Sequence, residues 1–414
     1  MKWGYYLLCL SVLVFQNNAM ALSFMAKDPR SLAMGGTMVA SSSYGNSVLY
    51  NPALLSAPNG AKGTFWSVAS LALRIADPDN LSQSIDDFTT QKYFENFNAS
   101  LANLNQSSTL SELDQSRQQV VKTGNTLIDN LTTLSDKAIE LQASVAAFVA
   151  DTDRQWPMAI SLNVWGSFGV VGEVVDSDLQ QMRQTLDAVD RLDVLGIRIP
   201  DPTTDFVSNL QGRGILLQEL ALALSHTLFF GDTSVSYGVT PKYVRVNTYD
   251  YYFAATDIDS AEVSLNSGLK TTHNFNMDAG LAMAFTEQWK VGVAIKNIIE
   301  QQYTTVLANT IDLKPAVRAG LAFHSGKNVI SLDYDLLREQ ALGIGGASQY
   351  LGVGYEFQGH VTQLRLGYRH NFPDSDVSVA SLGLGWEFWR ARLDVAVVGN
   401  ANEISVASQL NVIY

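Results

Sequence analysis

Five histidines, His226, His273, His324, His360 and His370, are the residues best equipped for metal binding or proton transfer. They are scattered singly. No His-Glu-x-x-His or comparable spacing puts two of them on one helix face, so no metal site is expected. Asp77 with Asp79, and Asp257 with Asp259, place carboxylates two residues apart as calcium loops do, but the other oxygen ligands of such a loop are missing. These read as solvated loop charges. Gly343 to Gly346 is glycine-rich, yet it lies between expected strands rather than in the strand-to-helix setting of a phosphate cradle. Nucleophilic catalysis would need a serine, a histidine and a carboxylate in fixed geometry. His370 with Asp374 and Ser375, and separately His273, fall near one expected rim, but nothing in the sequence fixes their relative positions. The reading is a protein that is not an enzyme and takes no cofactor.

Composition points elsewhere. Of 414 residues, 47% are hydrophobic and only 16% are charged, against about a quarter charged in ordinary soluble domains. No internal run of about 18 apolar residues is present to make a spanning helix. A membrane protein without such a run must cross with strands closed into a barrel. The net charge of −13 repels nucleic-acid phosphate, and no basic stripe offsets it. Lys2 followed by the apolar run Trp3 to Phe15 and then Ala19-Met20-Ala21 reads as a secretory signal peptide, residues 1–21, cleaved near Ala21. Cys9, the one cysteine, lies within it, so the mature chain has no thiol chemistry.

From Gly63 to Tyr414 the dominant pattern is period-two alternation in runs of about ten residues. Fourteen runs are read, near 63–75, 142–152, 156–175, 214–230, 232–252, 270–286, 288–299, 314–325, 327–337, 347–357, 360–370, 376–389, 390–398 and 402–414. Ile330, Leu332 and Tyr334 alternate with Ser331, Asp333 and Asp335, and Leu393, Val395 and Val397 with Arg392, Asp394 and Ala396. One face then meets lipid and the other a polar lumen. The inward charges Arg318, Asp333, Asp335, Arg365, Arg369, Arg392 and Asp394 are expected to pair with one another, or to form a polar track that holds an internal segment. Every second connection is very short, as at Gly231, Glu287, Ser325-Gly326 and Trp389-Arg390, while most others are long. Consecutive connections of an up-and-down barrel lie on opposite rims, with the long ones outside the cell. Aromatics gather at both strand ends: Trp156, Phe229, Phe230, Trp289, Phe388, Trp389 and Tyr414 at the short-turn side, Trp165, Phe168, Tyr249 to Phe253, Tyr350 and Tyr368 at the other. Such girdles mark the two membrane interfaces.

Two long connections, 77–141 and 176–212, carry helical spacing. One helix is read over 81–104, from Leu81, Ile85, Phe88, Phe97, Leu101 and Leu104. A second is read within 110–141, from Leu127, Leu131, Leu134, Ala138 and Leu141, with Thr109 and Glu112 as a capping box. A third covers 178–195, with Ser177 and Gln180 as its cap. The first two read as an antiparallel hairpin, and helices 81–141 and 178–195 offer either a self-packed cap or a surface for a partner.

Residues 22–62 precede the first strand and contain Met34-Gly35-Gly36, Tyr44-Gly45-Asn46 and Tyr50-Asn51-Pro52-Ala53. Glycine permits tight backbone approach and Asn-Pro favours a turn, so this stretch suits a plug inside the lumen. The stretch RSLAMGGTMVASSSYGNSVLYNPALLSAP, Arg30 to Pro58, resembles the hatch of the FadL-type outer-membrane transporters. The same start and barrel layout occur in the TraF-like branch named after plasmid conjugal transfer, and the helical insertion after the first strand brings the chain closer to that branch. The resemblance implies a fourteen-strand barrel with a hatch carrying an Asn-Pro-Ala motif, passive uptake of hydrophobic molecules, and release through a lateral opening in the wall. Gly35, Gly36, Asn51, Pro52 and Ala53 are the candidate hatch residues.

The expected molecule is therefore an all-β transmembrane antiparallel barrel of about fourteen strands. It has a hatch over 22–62, a barrel over 63–414 and helical extracellular insertions. It sits in the outer membrane of a Gram-negative bacterium, in contact with lipid and lipopolysaccharide, and binds or passes hydrophobic small molecules. The alternative reading is a structural or interaction protein of the cell surface linked to conjugal transfer.

Overall fold

Alternating side chains become a barrel here because lipid cannot satisfy a free strand edge, so the sheet must close on itself. In the computed structural model the described residues are 24, 26–42, 45–58, 62–191, 207–254, 268–340, 347–373 and 377–414. The strands are β1 Thr64–Ala76, β2 Ala138–Asp151, β3 Met158–Glu173, β4 Asn209–Phe230, β5 Thr233–Ala254, β6 Leu269–Ala284, β7 Trp289–Lys296, β8 Gln301–Thr304, β9 Thr310–Leu313, β10 Ala316–Ser325, β11 Asn328–Asp335, β12 Glu339–Gln340, β13 Ala347–Ser348, β14 Tyr350–Gln358, β15 Thr362–Asn371, β16 Val379–Phe388, β17 Ala391–Gly399 and β18 Glu403–Ile413. Fourteen of them form one closed barrel in the order β1-β18-β17-β16-β15-β14-β11-β10-β7-β6-β5-β4-β3-β2. All fourteen expected runs correspond to barrel strands. The largest offsets are at the starts of β2 and β4, which begin earlier than their sequence patterns.

The register explains the two faces. In the β16–β17 pair, Leu382 stands opposite Val397 and Leu384 opposite Val395 on the outside, while Gly383 faces Ala396 and Gly385 faces Asp394 inside. Outward residues such as Leu366, Leu382, Val397 and Ile404 are exposed, whereas inward Asp333, Glu356, Arg365, Arg392 and Asp394 are buried. The pattern is the inverse of a soluble protein and requires hydrocarbon around it. Around the described circuit the register shifts only in β1, between Ser67 and Ser70. The sheet closes on itself, with pairs interrupted beside the β1 shift and where Leu222 and Ala223 face Pro241 and Thr240.

Two connections read as loops hold short hairpins, β8–β9 and β12–β13. The β8–β9 hairpin turns inward. Its Tyr303, Ile311 and Leu313 form one buried cluster with Trp165, Ile215, Leu217, Val244 and Val246 of the inner wall. Trp165 is thus not a girdle residue: it shares the inward parity of Ser161, Asn163 and Ser167. The hairpin turn is tied to the wall where Thr305 Oγ1 and Asn309 Nδ2 donate to Asp250 at 2.6 and 2.8 Å.

The helical insertions differ from expectation in three details. α1, Pro29–Ala33, belongs to the N-terminal segment; the insertions hold α2 Leu81–Thr90, α3 Tyr93–Gln106, α4 Leu110–Thr132 and α5 Asp176–Asp190. The single helix expected over 81–104 is broken, with Lys92 at a positive φ of 53°. A straight helix would point residues six apart about 120° away from each other. The break lets Phe88 and Phe94 meet edge to face at 5.3 Å in one core. The second helix ends at Thr132, and Ala138 and Leu141 lie on β2. Helical and strand spacing coincide over that short overlap, and the alternation of Glu140, Gln142 and Ser144 inward decides it. The third helix starts before Ser177, so Ser177 is not its cap. Asp178 instead accepts from the Val207 and Ser208 amides at 2.9 and 2.7 Å. Residues 192–195 lie outside the described residues.

The capping box forms as read: Glu112 N donates to Thr109 Oγ1 at 3.2 Å and Thr109 N to Glu112 at 3.1 Å. The Ser108 and Thr109 amides hold the Glu112 carboxyl below its ordinary range. Leu81, Phe97, Val120, Leu127, Leu131, Met182 and Leu186 are among the side chains of a core that the helices build for themselves. α4 and α5 meet where a Cβ on Gly124 would lie 2.5 Å from Leu186. Gly124→Val should cost about 1–3 kcal/mol by forcing these helices apart. The expected result is faster proteolysis within residues 81–190, with heat-modifiable gel mobility of the barrel unchanged; equal protease resistance would contradict this packing.

Candidate functional site: the N-terminal segment inside the barrel

The N-terminal segment can sit inside because it satisfies its own backbone locally. Asp28 caps α1, accepting from Arg30 N at 2.9 Å and Ser31 N at 3.2 Å, and Pro29 takes the first turn, where its missing amide costs nothing. Gly35 and Gly36 end the helix at φ of 67° and 82°. Asn51 starts a 3-10 turn over Pro52–Leu55 by accepting from Ala53 N at 3.1 Å. Its amide group also donates to Val39 O at 2.8 Å and to Leu281 O of β6 at 3.2 Å. Asn51 is thus both a cap and a tie to the wall.

The wall is shaped to receive the segment. At Gly35, a Cβ would stand 2.4 Å from Tyr368 O and 2.7 Å from Val353 O. Seen from the wall, a Cβ on Gly367 would stand 2.1 Å from Gly35 N, one on Gly354 2.5 Å from Met34 O, and one on Gly280 1.9 Å from Asn51 Oδ1. Glycine at these inward positions lets backbone lie directly against backbone. Ser381 donates to Ala33 O at 2.9 Å and accepts from Gly35 N at 3.2 Å. Asp333 accepts from the Met38 and Val39 amides at 2.8 and 2.9 Å. At the short-turn end, Ser225 and Thr227 of β4 donate to Ala53 O at 3.1 Å and Ser56 O at 2.7 Å.

Charge completes the fit. Arg30 of the segment pairs with Glu356 at 2.7 Å, Glu356 with Arg365 at 2.7 Å, Arg365 with Asp394 at 2.8 Å, and Asp394 with Arg392 at 2.9 Å. Across the lumen, Lys27 lies 3.6 Å from Glu219, which pairs with Lys242 at 2.8 Å; Lys242 reaches Asp278 at 2.9 Å. Arg74 joins Glu140 at 2.6 Å and Glu403 at 2.9 Å, and Glu403 joins Arg369 at 2.6 Å. Arg318 pairs with Asp335 at 2.5 Å and donates to Gly36 O at 3.2 Å. The expected inward charges are brought together as read, partly with each other and partly with the segment. The sequence reading did not single out Lys27 and Arg30 of the segment, or Glu219, Lys242, Asp278 and Glu356 of the wall. The strand members carry a signal, since each shares the inward parity of small neighbours.

The other chemical candidates disperse. Asp77 caps α2, accepting from Leu81 N at 2.6 Å and Ser82 N at 3.1 Å. His226 stacks on Trp156 at 4.3 Å, His273 on Tyr243, and His370 bonds Ser378 at 3.0 Å. Asp257, Asp259, Gly343 to Gly346, Asp374, Ser375, Tyr44 and the signal-peptide residues lie outside the described residues. Among the described residues no three His, Cys, Asp or Glu side chains gather to hold a metal.

A closed fourteen-strand barrel, apolar outside, with its own N-terminal segment packed across a charged lumen, is an outer-membrane-type β-barrel. Residues 48–335 match the family described as "F plasmid transfer operon, TraF, protein", and the chain belongs to that family. Solved structures share the fold. The CymD monoaromatic hydrocarbon channel superposes with a TM-score of 0.51 at 11% identity, covering 95% of this chain and 99% of that one. The toluene transporter TbuX of Ralstonia pickettii gives 0.50 at 11%, covering 94% and 98%. A TodX monoaromatic hydrocarbon channel variant, deltaS2S3, gives 0.50 at 10%, covering 93% and 98%. No curated protein matches by sequence.

Glu356→Gln removes the anion shared by Arg30 and Arg365. Leaving buried guanidinium groups short of a partner should cost about 3–5 kcal/mol. The expected readout is a lower urea midpoint of the refolded barrel and faster cleavage within residues 24–58; an unchanged midpoint and cleavage rate would show that the pairing does not hold the segment.

Proposed function

We propose that this protein is an outer-membrane hatch barrel that binds or passes hydrophobic small molecules. On this reading the signal peptide is removed near Ala21, the hatch spans 22–62, and the short turns face the periplasm with the helical insertions outside. The observation that carries it is the N-terminal segment buried across the lumen and tied to β14, β6 and β4 through Arg30–Glu356, Asn51–Leu281 and Lys27–Glu219. Gly35, Gly36, Asn51, Pro52 and Ala53 are then the hatch residues: two make the turn against the wall, three form the capped turn that meets β4, β5 and β6. Solutes pass when that packing is displaced. The structures that share the fold are monoaromatic hydrocarbon channels and a toluene transporter, which supports an apolar cargo. Inside the long-connection rim the Trp165, Leu217 and Val246 cluster under the β8–β9 hairpin supplies an apolar surface of the matching chemistry. Deletion of residues 34–53 should raise single-channel conductance in planar bilayers, and conductance equal to the intact protein would reject the hatch.

A second reading rests on the helical insertions, whose own hydrophobic core is more than a loop needs. They provide a rigid surface for a cell-surface partner in conjugal transfer. Excising residues 81–132 should leave the barrel assembled and heat-modifiable while lowering mating frequency; normal transfer without them would remove this reading.

A further inference from the structure

The outer face of the barrel is apolar with one cationic exception. Among the described strand positions that face outward, Arg245 of β5 is the one lysine or arginine. It stands directly across from His273 of β6 and from Gln218 of β4. Both Arg245 and His273 are exposed. Arg245 has no ion-pair partner among the described residues, although lysines and arginines of the lumen are paired repeatedly. His273 is held by Tyr243, whose hydroxyl bonds Nδ1 at 2.7 Å, and Tyr243 meets Phe275 edge to face at 5.4 Å.

Depth makes this arrangement informative. Below Arg245 the outward residues of β5 are Val235, Tyr237, Val239, Pro241 and Tyr243. Ten residues from Val235 to Arg245, at about 3.4 Å each and the usual tilt of about 45°, rise about 24 Å. That is about the height of the apolar band of such barrels. Arg245 therefore stands one step beyond the outward Tyr243 and just inside the Tyr249 level of the long-connection rim, where hydrocarbon gives way to headgroups. A guanidinium there pairs best with phosphate, to which it offers several donors in one plane. The imidazole, whose Nδ1 is taken by Tyr243, offers Nε2 as a second donor, and Gln218 adds a third.

We infer that Arg245, with His273 and Gln218 beside it, forms a surface site for the phosphate group of a membrane lipid in the leaflet at the long-connection rim. The acyl chains of that lipid lie along the apolar stripe of Leu220, Tyr243 and Phe275, all exposed on the same face. With the orientation proposed above, this is the outer leaflet and a phosphorylated lipid A is the matching lipid.

The test uses the purified full-length barrel in detergent with diphosphoryl lipid A, read by native mass spectrometry. Intact protein should retain the lipid, and Arg245→Gln should lower retention about tenfold, the worth of a charge-assisted hydrogen bond. His273→Gln should lower retention by less than Arg245→Gln does. Heat-modifiable mobility checks that each variant is folded. Equal retention by Arg245→Gln overturns the site. Loss of the lipid on adding inorganic phosphate would overturn the lipid assignment in favour of a free-anion site. Because binding is measured on isolated protein, failure here leaves the hatch reading intact, and an unchanged conductance on deleting 34–53 leaves this site intact.

Discussion

The structure depends on how a barrel this narrow satisfies an inward face full of charge. Isolated ions of that kind are strongly disfavoured away from water, and each must find a counter-ion or a set of donors. The strands alone do not complete the set. Arg30 supplies Glu356 with a second cation, Lys27 approaches Glu219, and the Met38 and Val39 amides occupy Asp333. The N-terminal segment is thus part of the electrostatic balance of the wall rather than a passenger in the lumen. Its backbone comes close enough to do this because the opposing positions are glycine.

This division of labour also separates the two kinds of fold in the chain. The barrel is organised around its lumen, with apolar surface turned outward to hydrocarbon. The helical insertions are organised like a small soluble domain, with apolar side chains turned inward onto Leu127 and Met182. The sequence switches from helical period to strand period within a few residues of Thr132, and the structure follows the switch through the short connection 133–137.

How much could be read beforehand follows from the range of the interactions concerned. Strand faces were legible because lipid and lumen impose a two-residue repeat on consecutive residues. The pairing of Arg392 with Asp394 could be anticipated for the same reason. Arg30 with Glu356 could not, since the partners are 326 residues apart and no local pattern links them. Trp165 was misassigned because an aromatic near a strand end fits a girdle, and only the inward-folding hairpin with Tyr303 reveals the other face. The break at Lys92 was hidden because Phe88 and Phe94 belong to helical stripes that look continuous in sequence. The family resemblance located Asn51, Pro52 and Ala53, while the side-chain bonds of Asn51 supplied their structural reason.

The β8–β9 hairpin has a thermal consequence. Beneath the turn that Asp250 holds, its strands rest on Trp165, Leu217 and Val246 through apolar contact, whereas the segment below is fastened by ions and amides. Apolar association weakens on cooling, and hydrogen-bonded ion pairs do not share that dependence. The two obstructions in series along the lumen therefore respond differently to cold: the upper one loosens first, and the lower one sets the resistance that remains.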